Sequence, residues 1–202
     1  MAHPKTAGTD HEILEVIRTR WSPRAFDPDR AVDRADLLRL FEAARWAPSS
    51  SNEQPWRFVL ADRRDQPEAF DRLLGTLTGS NPDWAARAPV LLLVTVREDF
   101  ERYGVANAHA YYDTGQAVAQ LTMQATALGL GVRQIAGFDP DRAREACAVP
   151  APFRPAVVIA IGYAGDPATL AREKHRAAEG APRKRRPLRE FVFAGRWDQP
   201  LP

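Results

Sequence analysis

The chain has 202 residues, 45% of them hydrophobic and 27% charged, with a formal net charge of +2. That is the composition of one ordinary globular domain with a sizeable core. So small a net charge excludes a global field that recruits nucleic acid or anionic membrane. A single cysteine, Cys147, excludes an intramolecular disulfide and a Cys-rich metal site. No apolar run approaches the ~20 residues of a membrane span, and "MAHPKTAGTD" has no apolar signal core. These features predict a cytoplasmic protein with no membrane and no nucleic-acid partner. They also predict a single domain over residues 1–202, with residues 1–10 flexible.

"HEILEVIRTR" places Ile13, Leu14, Val16 and Ile17 on one side of a helix over His11–Arg20. Pro23 and Pro28 then force an irregular connection. Asp33 is a good N-cap, with Asp36 in the first turn, for a helix carrying Leu37, Leu40, Phe41 and Ala44 and closed by Pro48. "WRFVLA" reads as a short strand, followed by a polar helix from Gln66 to Thr78 and a turn with a short helix in "SNPDWAARAP". "VLLLVTV" is continuous and apolar, the pattern of a strand covered on both faces. Asn107 to Leu128 is the longest helical pattern and ends at Gly129 and Gly131. "VRQIAGF" is a strand-to-loop transition, Asp139-Pro140 caps a helix through Cys147, and "AVVIAIGYAG" is another buried strand. This alternation predicts an α+β (α/β layered) fold, a central mixed sheet flanked by helices on both faces. The tail "RKRRPLREFVFAGRW" carries apolar residues in a charged segment, so it must dock somewhere.

Several chemistries are missing. His3, His11, His109 and His175 are scattered, without metal-ligand spacing. No nucleophile elbow appears, and Ser49–Ser51 has no evident His partner. The glycines of "ALGLG" form neither a P-loop nor a dinucleotide fingerprint. If the chain is an enzyme, a bound cofactor supplies the reactivity and no side chain acts as the catalyst.

Two segments suit phosphate. "RTRWSPR" offers Arg18, Arg20, Ser22 and Arg24; "RKRR" offers Arg183 to Arg186. Taken singly, each is more readily a solvated basic face, and "RKRR" has a third reading as a nucleic-acid patch, which the near balance of 26 acidic and 28 basic residues weakens. Between helix and strand, "APSSSNEQPW" is either a plain turn or a loop whose hydroxyls and amides hold something.

Taken together, "RWSPRAFDP", "APSSSNEQPWRFVL", "ALGLGVRQIAGFDP" and "RKRRPLREFV" resemble the nitroreductase family of flavoproteins over roughly residues 13–191. The resemblance implies an obligate homodimer with a domain-swapped C-terminal tail and one FMN at each end of the interface. It implies that Arg20, Ser22 and Arg24 reach the FMN phosphate, ribityl chain and pyrimidine edge, and that Arg183 and Arg185 complete the phosphate grip. Pro48, Ser49, Ser50 and Asn52 would approach the flavin of the other subunit. Asn81 would bond the ring edge, and Ile135, Ala136 and Gly137 would lie beneath the ring.

The implied activity is ping-pong hydride transfer from NADH or NADPH through flavin N5 to a small-molecule acceptor, a nitroaromatic or quinone. Alternatives are a specialised chemistry of the same family (dehalogenation, enone or aldehyde reduction, flavin breakdown) or a non-catalytic FMN-binding protein. Three features depart from the family pattern: Trp21 and Pro23 in the first motif, the absence of an acidic side chain at Ala136, and a short connection after Val96. His109, Tyr111, Tyr112 and Asp113 open the long helix and stand either to line the pocket or to serve as interface residues.

Overall fold

A computed structural model describes residues 3–201. Its elements follow the order α1 (Glu15–Thr19), α2 (Arg34–Arg45), β1 (Trp56–Asp62), α3 (Pro67–Leu74), α4 (Asn81–Ala85) and β2 (Val90–Arg97). The chain continues through α5 (Ala110–Ala127), β3 (Gly131–Ile135), α6 (Pro140–Ala146), β4 (Phe153–Gly162) and α7 (Glu173–Gly180).

The strands form one four-stranded sheet in the order β1-β2-β4-β3. Period-two alternation assigns its side chains to two cores. Leu91, Leu93, Val158 and Ala160 join Phe70, Leu73, Trp84 and Ala143 from α3, α4 and α6 on one face. Val90, Leu92, Val94, Ile159 and Ile161 join Leu37, Leu40, Leu121 and Ala125 from α2 and α5 on the other. The α+β layered fold with helices on both faces is therefore present. The expectation of a mixed sheet is corrected, since every pairing is antiparallel. Alternating helices and strands suggested crossovers, but the α3–α4 connection returns to the sheet end it left. Asp62 lies opposite Val90, and the Arg63 N–H donates to the Pro89 carbonyl at 3.0 Å.

Helix α1 is shorter than the Ile13–Ile17 stripe predicts. Leu14 sits at ψ 136° and none of the helix residues is buried. Only Val16 of the stripe is half-buried, while Ile13, Leu14 and Ile17 are exposed. The helix therefore has little of the packing that stabilises short helices. Helix α5 starts at Ala110 because the Asn107 Oδ1 accepts from the His109 N–H at 3.0 Å and makes a turn there. Asp139 caps α6 as expected, its side chain accepting from the Asp141 and Arg142 N–H groups.

Two connections position the candidate site. Residues after α3 leave the helical path to pair with the loop beyond β3: Leu77 bridges Phe138, and the Thr78 N–H donates to the Gly137 carbonyl at 2.9 Å. The Pro23–Asp27 segment pairs with the extension of β4 through Phe26 and Ala164. That approach requires Gly165, where a Cβ would lie 2.6 Å from the Phe26 carbonyl carbon.

Of residues 1–10, expected to be flexible, Met1 and Ala2 lie outside the described residues, as does Pro202 at the other end of the chain. Lys5 Nζ donates to the Ala178 and Ala181 carbonyls at the end of α7, and the Ala7 N–H donates to the Arg18 carbonyl. At the other terminus, Phe191 and Trp197 remain exposed.

Candidate functional site

The two basic segments converge although 163 residues separate the partners of one of their hydrogen bonds. Arg183 donates from both terminal nitrogens to the carbonyls of Arg20 and Arg18, which ties the tail to the end of α1. Arg20 Nη1 donates to Ser22 Oγ at 3.0 Å. The resulting cleft is lined by Lys5, Arg20, Ser22, Arg24, Arg133, Glu179, Arg183 and Arg185. Its one carboxylate, Glu179, is buried and accepts from the backbone N–H groups of Arg24 and Ala25.

The electrostatics follow from crowding like charges in a partly dry cleft. Burial first, then Arg183 and Arg185, holds Arg20 below the ordinary arginine range. Arg183 is lowered by burial and Arg185. Arg133 is pushed down to about 10 by burial and then Arg24, with Glu179 acting the other way. Beside the cleft, His175 is lowered by burial and then by Arg24, Lys174, Arg172 and Arg133. Arg183 Nε is buried with no hydrogen-bond partner among the described residues. A guanidinium with an unmet donor, among cations with one carboxylate, is what a phosphate dianion would satisfy.

A second group forms at the neighbouring end of the sheet. Asn81 Nδ2 donates to the Gly137 carbonyl at 3.1 Å, and a Cβ at Gly137 would lie 2.5 Å from that nitrogen. Ile135 ends β3 and is buried, while Ala136 is exposed. Arg133 joins this group to the basic cleft: its Nη1 donates to the Ser22 carbonyl at 2.7 Å, and its guanidinium lies 5.2 Å from the Trp84 ring centroid on α4.

The Pro48–Asn52 loop hydrogen-bonds with neither group among the described residues. Its Ser50 N–H donates to the buried Asp113 carboxylate at 2.9 Å, and Ser49 Oγ accepts from the Gln54 N–H at 3.0 Å. Ser51, Asn52 and Gln54 adopt left-handed backbone, with φ of 53°, 54° and 51°. The loop therefore has a held shape, with Pro48, Ser51 and Asn52 exposed at its surface. Asp113 thus serves the loop, Tyr111 donates its hydroxyl to Glu98, Tyr112 is exposed, and His109 flanks the start of α5.

The family model of the nitroreductase family matches residues 17–83 and 67–163, most of the chain. The chain belongs to the nitroreductase family. Membership places it among oxidoreductases. A solved structure of an oxidoreductase containing FMN is 34% identical, with a TM-score of 0.89, covering 98% of this chain and 100% of that one. An uncharacterised 15.4 kDa protein of Mycolicibacterium smegmatis is 37% identical over 72% of this chain and 99% of its own length. A Stenotrophomonas maltophilia protein, provisionally named an NADH dehydrogenase/NAD(P)H nitroreductase, is 28% identical over 84% of this chain and 92% of its own.

In this member of the nitroreductase family, the structure gathers Arg20, Ser22, Arg24, Arg183 and Arg185 in one cleft. It brings Asn81 to Gly137 and leaves Pro48, Ser49, Ser50 and Asn52 apart from both. Sequence reasoning missed Lys5, Arg133, Glu179 and the loop-holding role of Asp113. Arg133 alone left a trace, as a charge inside the otherwise strand-like "GVRQIAGF". Among the described residues, no helix is long and apolar enough to cross a membrane.

Proposed function

We propose that the chain is an FMN-dependent oxidoreductase that takes electrons from NADH or NADPH and reduces nitroaromatics, quinones or similar electron-poor acceptors. The observation that carries this reading is the basic cleft, in which Arg20, Arg24, Arg133, Arg183 and Arg185 meet around one carboxylate with Arg183 Nε unpaired. The FMN of the structural relative supports the cofactor, and the name of the Stenotrophomonas relative supports the donor.

In this reading Arg20, Ser22, Arg183 and Arg185 hold the FMN phosphate, and Arg24 faces the pyrimidine edge. FMN bound there would supply the hydride- and electron-transfer chemistry between NAD(P)H and the acceptor. Asn81, its amide nitrogen engaged by Gly137, keeps Oδ1 as an acceptor for a ring N–H. Ile135, Ala136 and Gly137 offer backbone rather than acidic side chains beneath the ring. Donor and acceptor occupy one open site in turn, and solvent supplies protons.

The functional unit in this reading is a homodimer of single-domain subunits. Pro48, Ser49, Ser50 and Asn52 of each subunit approach the cofactor of the other, and the C-terminal tail crosses over. An open apolar face of Val16, Ala43, Trp46, Ala119 and Met123 from α1, α2 and α5 supports the association. So do the exposed Phe191 and Trp197 of the tail.

The visible spectrum of the purified protein tests this reading. An oxidised-flavin band is expected, bleached anaerobically by NADH or NADPH and restored by a quinone. A colourless protein that FMN cannot reconstitute would overturn the cofactor assignment. A bound flavin that neither nucleotide bleaches would overturn the donor.

A further inference from the structure

Arg133 lies inside "ALGLGVRQIAGFDP", where the resemblance gives it no contact with the cofactor, yet it lines the candidate site. Its strand neighbours Val132 and Ile135 are buried in the two cores, so β3 is firmly held. The side chain is fixed at two points, by the 2.7 Å bond from Nη1 to the Ser22 carbonyl and by the Trp84 ring at 5.2 Å. Trp84 lies one helical turn beyond Asn81 on α4, and Gly137, the partner of Asn81, follows Arg133 on the chain. The guanidinium therefore stands between the cleft of Arg20, Arg24, Arg183 and Arg185 and the Asn81–Gly137 pair. Burial and Arg24 lower its pKa to about 10, with Glu179 opposing, and at that value it is still fully cationic at neutral pH.

Resting on the FMN reading above, we propose that Arg133 is a further cofactor-site residue, a fixed buried cation that favours reduced over oxidised flavin and raises its midpoint potential. Hydride delivery from NAD(P)H brings two electrons and one proton, so the bound cofactor gains one negative charge as NAD(P)H becomes NAD(P)+. A cation already held by Ser22 and Trp84 stabilises that charge without reorganising. The guanidiniums of Arg20, Arg183 and Arg185 act differently: they face a phosphate whose charge is the same in both redox states. They set affinity, whereas Arg133, together with Arg24 at the pyrimidine edge, sets the difference between the two states.

The test measures the midpoint potential of the FMN-loaded protein by equilibrium reduction against a reference dye, beside the Kd for oxidised FMN. R133Q removes the charge and keeps a donor for the Ser22 carbonyl; R133K keeps the charge and loses the planar fork. R133Q is expected to weaken the preference for reduced over oxidised FMN about tenfold, or ~30 mV for a two-electron couple. R133K is expected to retain most of that preference, and R185A to weaken FMN binding without moving the potential. An R133Q protein that holds FMN at the wild-type potential would overturn the proposal and leave Arg133 as a strut for Ser22. If R133Q loses the native circular-dichroism spectrum, R133M carries the same expectation and the same refutation. Failure of the wild-type chain to bind FMN at all would instead overturn the functional reading on which this proposal rests.

Discussion

The basic cleft and the Pro48–Asn52 loop are both polar, and they are built in opposite ways. The cleft draws Lys5, Arg20, Arg133 and Arg183 from remote parts of the chain and concentrates like charge until burial and mutual repulsion lower the arginines. The loop is local: Ser49 Oγ, the Ser49 and Ser50 carbonyls and three left-handed residues close it, with Asp113 as its long-range hydrogen-bond tie. One region is under electrostatic tension that an anion would relieve. The other has its backbone needs met and presents exposed residues outward. In the proposed reading, the difference is that the cleft recognises a phosphate within one chain, whereas the loop acts on the partner subunit.

The largest expected effect breaks the cleft. An R20A/R185A double variant is expected to bind FMN about 100-fold or more weakly, because two charge-assisted contacts to phosphate are lost. The apo protein should melt no lower than wild type, since Arg20 carries repulsion from Arg183 and Arg185. Fluorescence of released flavin and a thermal melt read the two quantities. Unchanged FMN affinity would remove the cleft from the site.

A middle-sized effect tests the loop's tie. D113N replaces the charged acceptor of the Ser50 N–H, which is held by a side chain 3% exposed. A stability loss of about 1.5–3 kcal/mol is expected, visible as a lowered melting temperature. In the proposed dimer FMN retention should fall several-fold, while the proposed phosphate grip of the cleft in an isolated subunit should be unaffected. Wild-type FMN retention by D113N dimers would reduce the loop to a turn. The smallest effect concerns local strain: S51G relieves a φ of 53° in a β-carbon-bearing residue and should change stability by less than about 1 kcal/mol. A large loss would mean that the Ser51 side chain has a partner outside its own chain.

Much of the fold was legible in the residues. The Asp139-Pro140 cap, the helix from Arg34 and the two-faced strand "VLLLVTV" each depend on short-range chemistry or on a period that any window displays. The extent of α1 was not legible, because a stripe of Ile13, Leu14 and Ile17 does not reveal whether a partner will cover it. Nor was the sense of the sheet, because alternation of helices and strands is silent about the end to which a connection returns. Within the site, the clustered arginines advertised themselves by proximity in sequence. Arg133 and Glu179 stand singly among unrelated neighbours, and only contacts across 111 and 155 residues show what they do.

The sequence by itself determined the periodic and local features of this protein: its helices and strands, its caps, its hydroxyl-rich turn and the identity of its cation-rich segments. Those depend on interactions within a few residues, so they are present in any short window. The tertiary structure alone decided which cations meet, where the single carboxylate stands among them, and that Arg133 lies between the cleft and the Asn81–Gly137 pair. Coulomb energy and desolvation depend on distance and burial in space, and neither is a property of position along the chain.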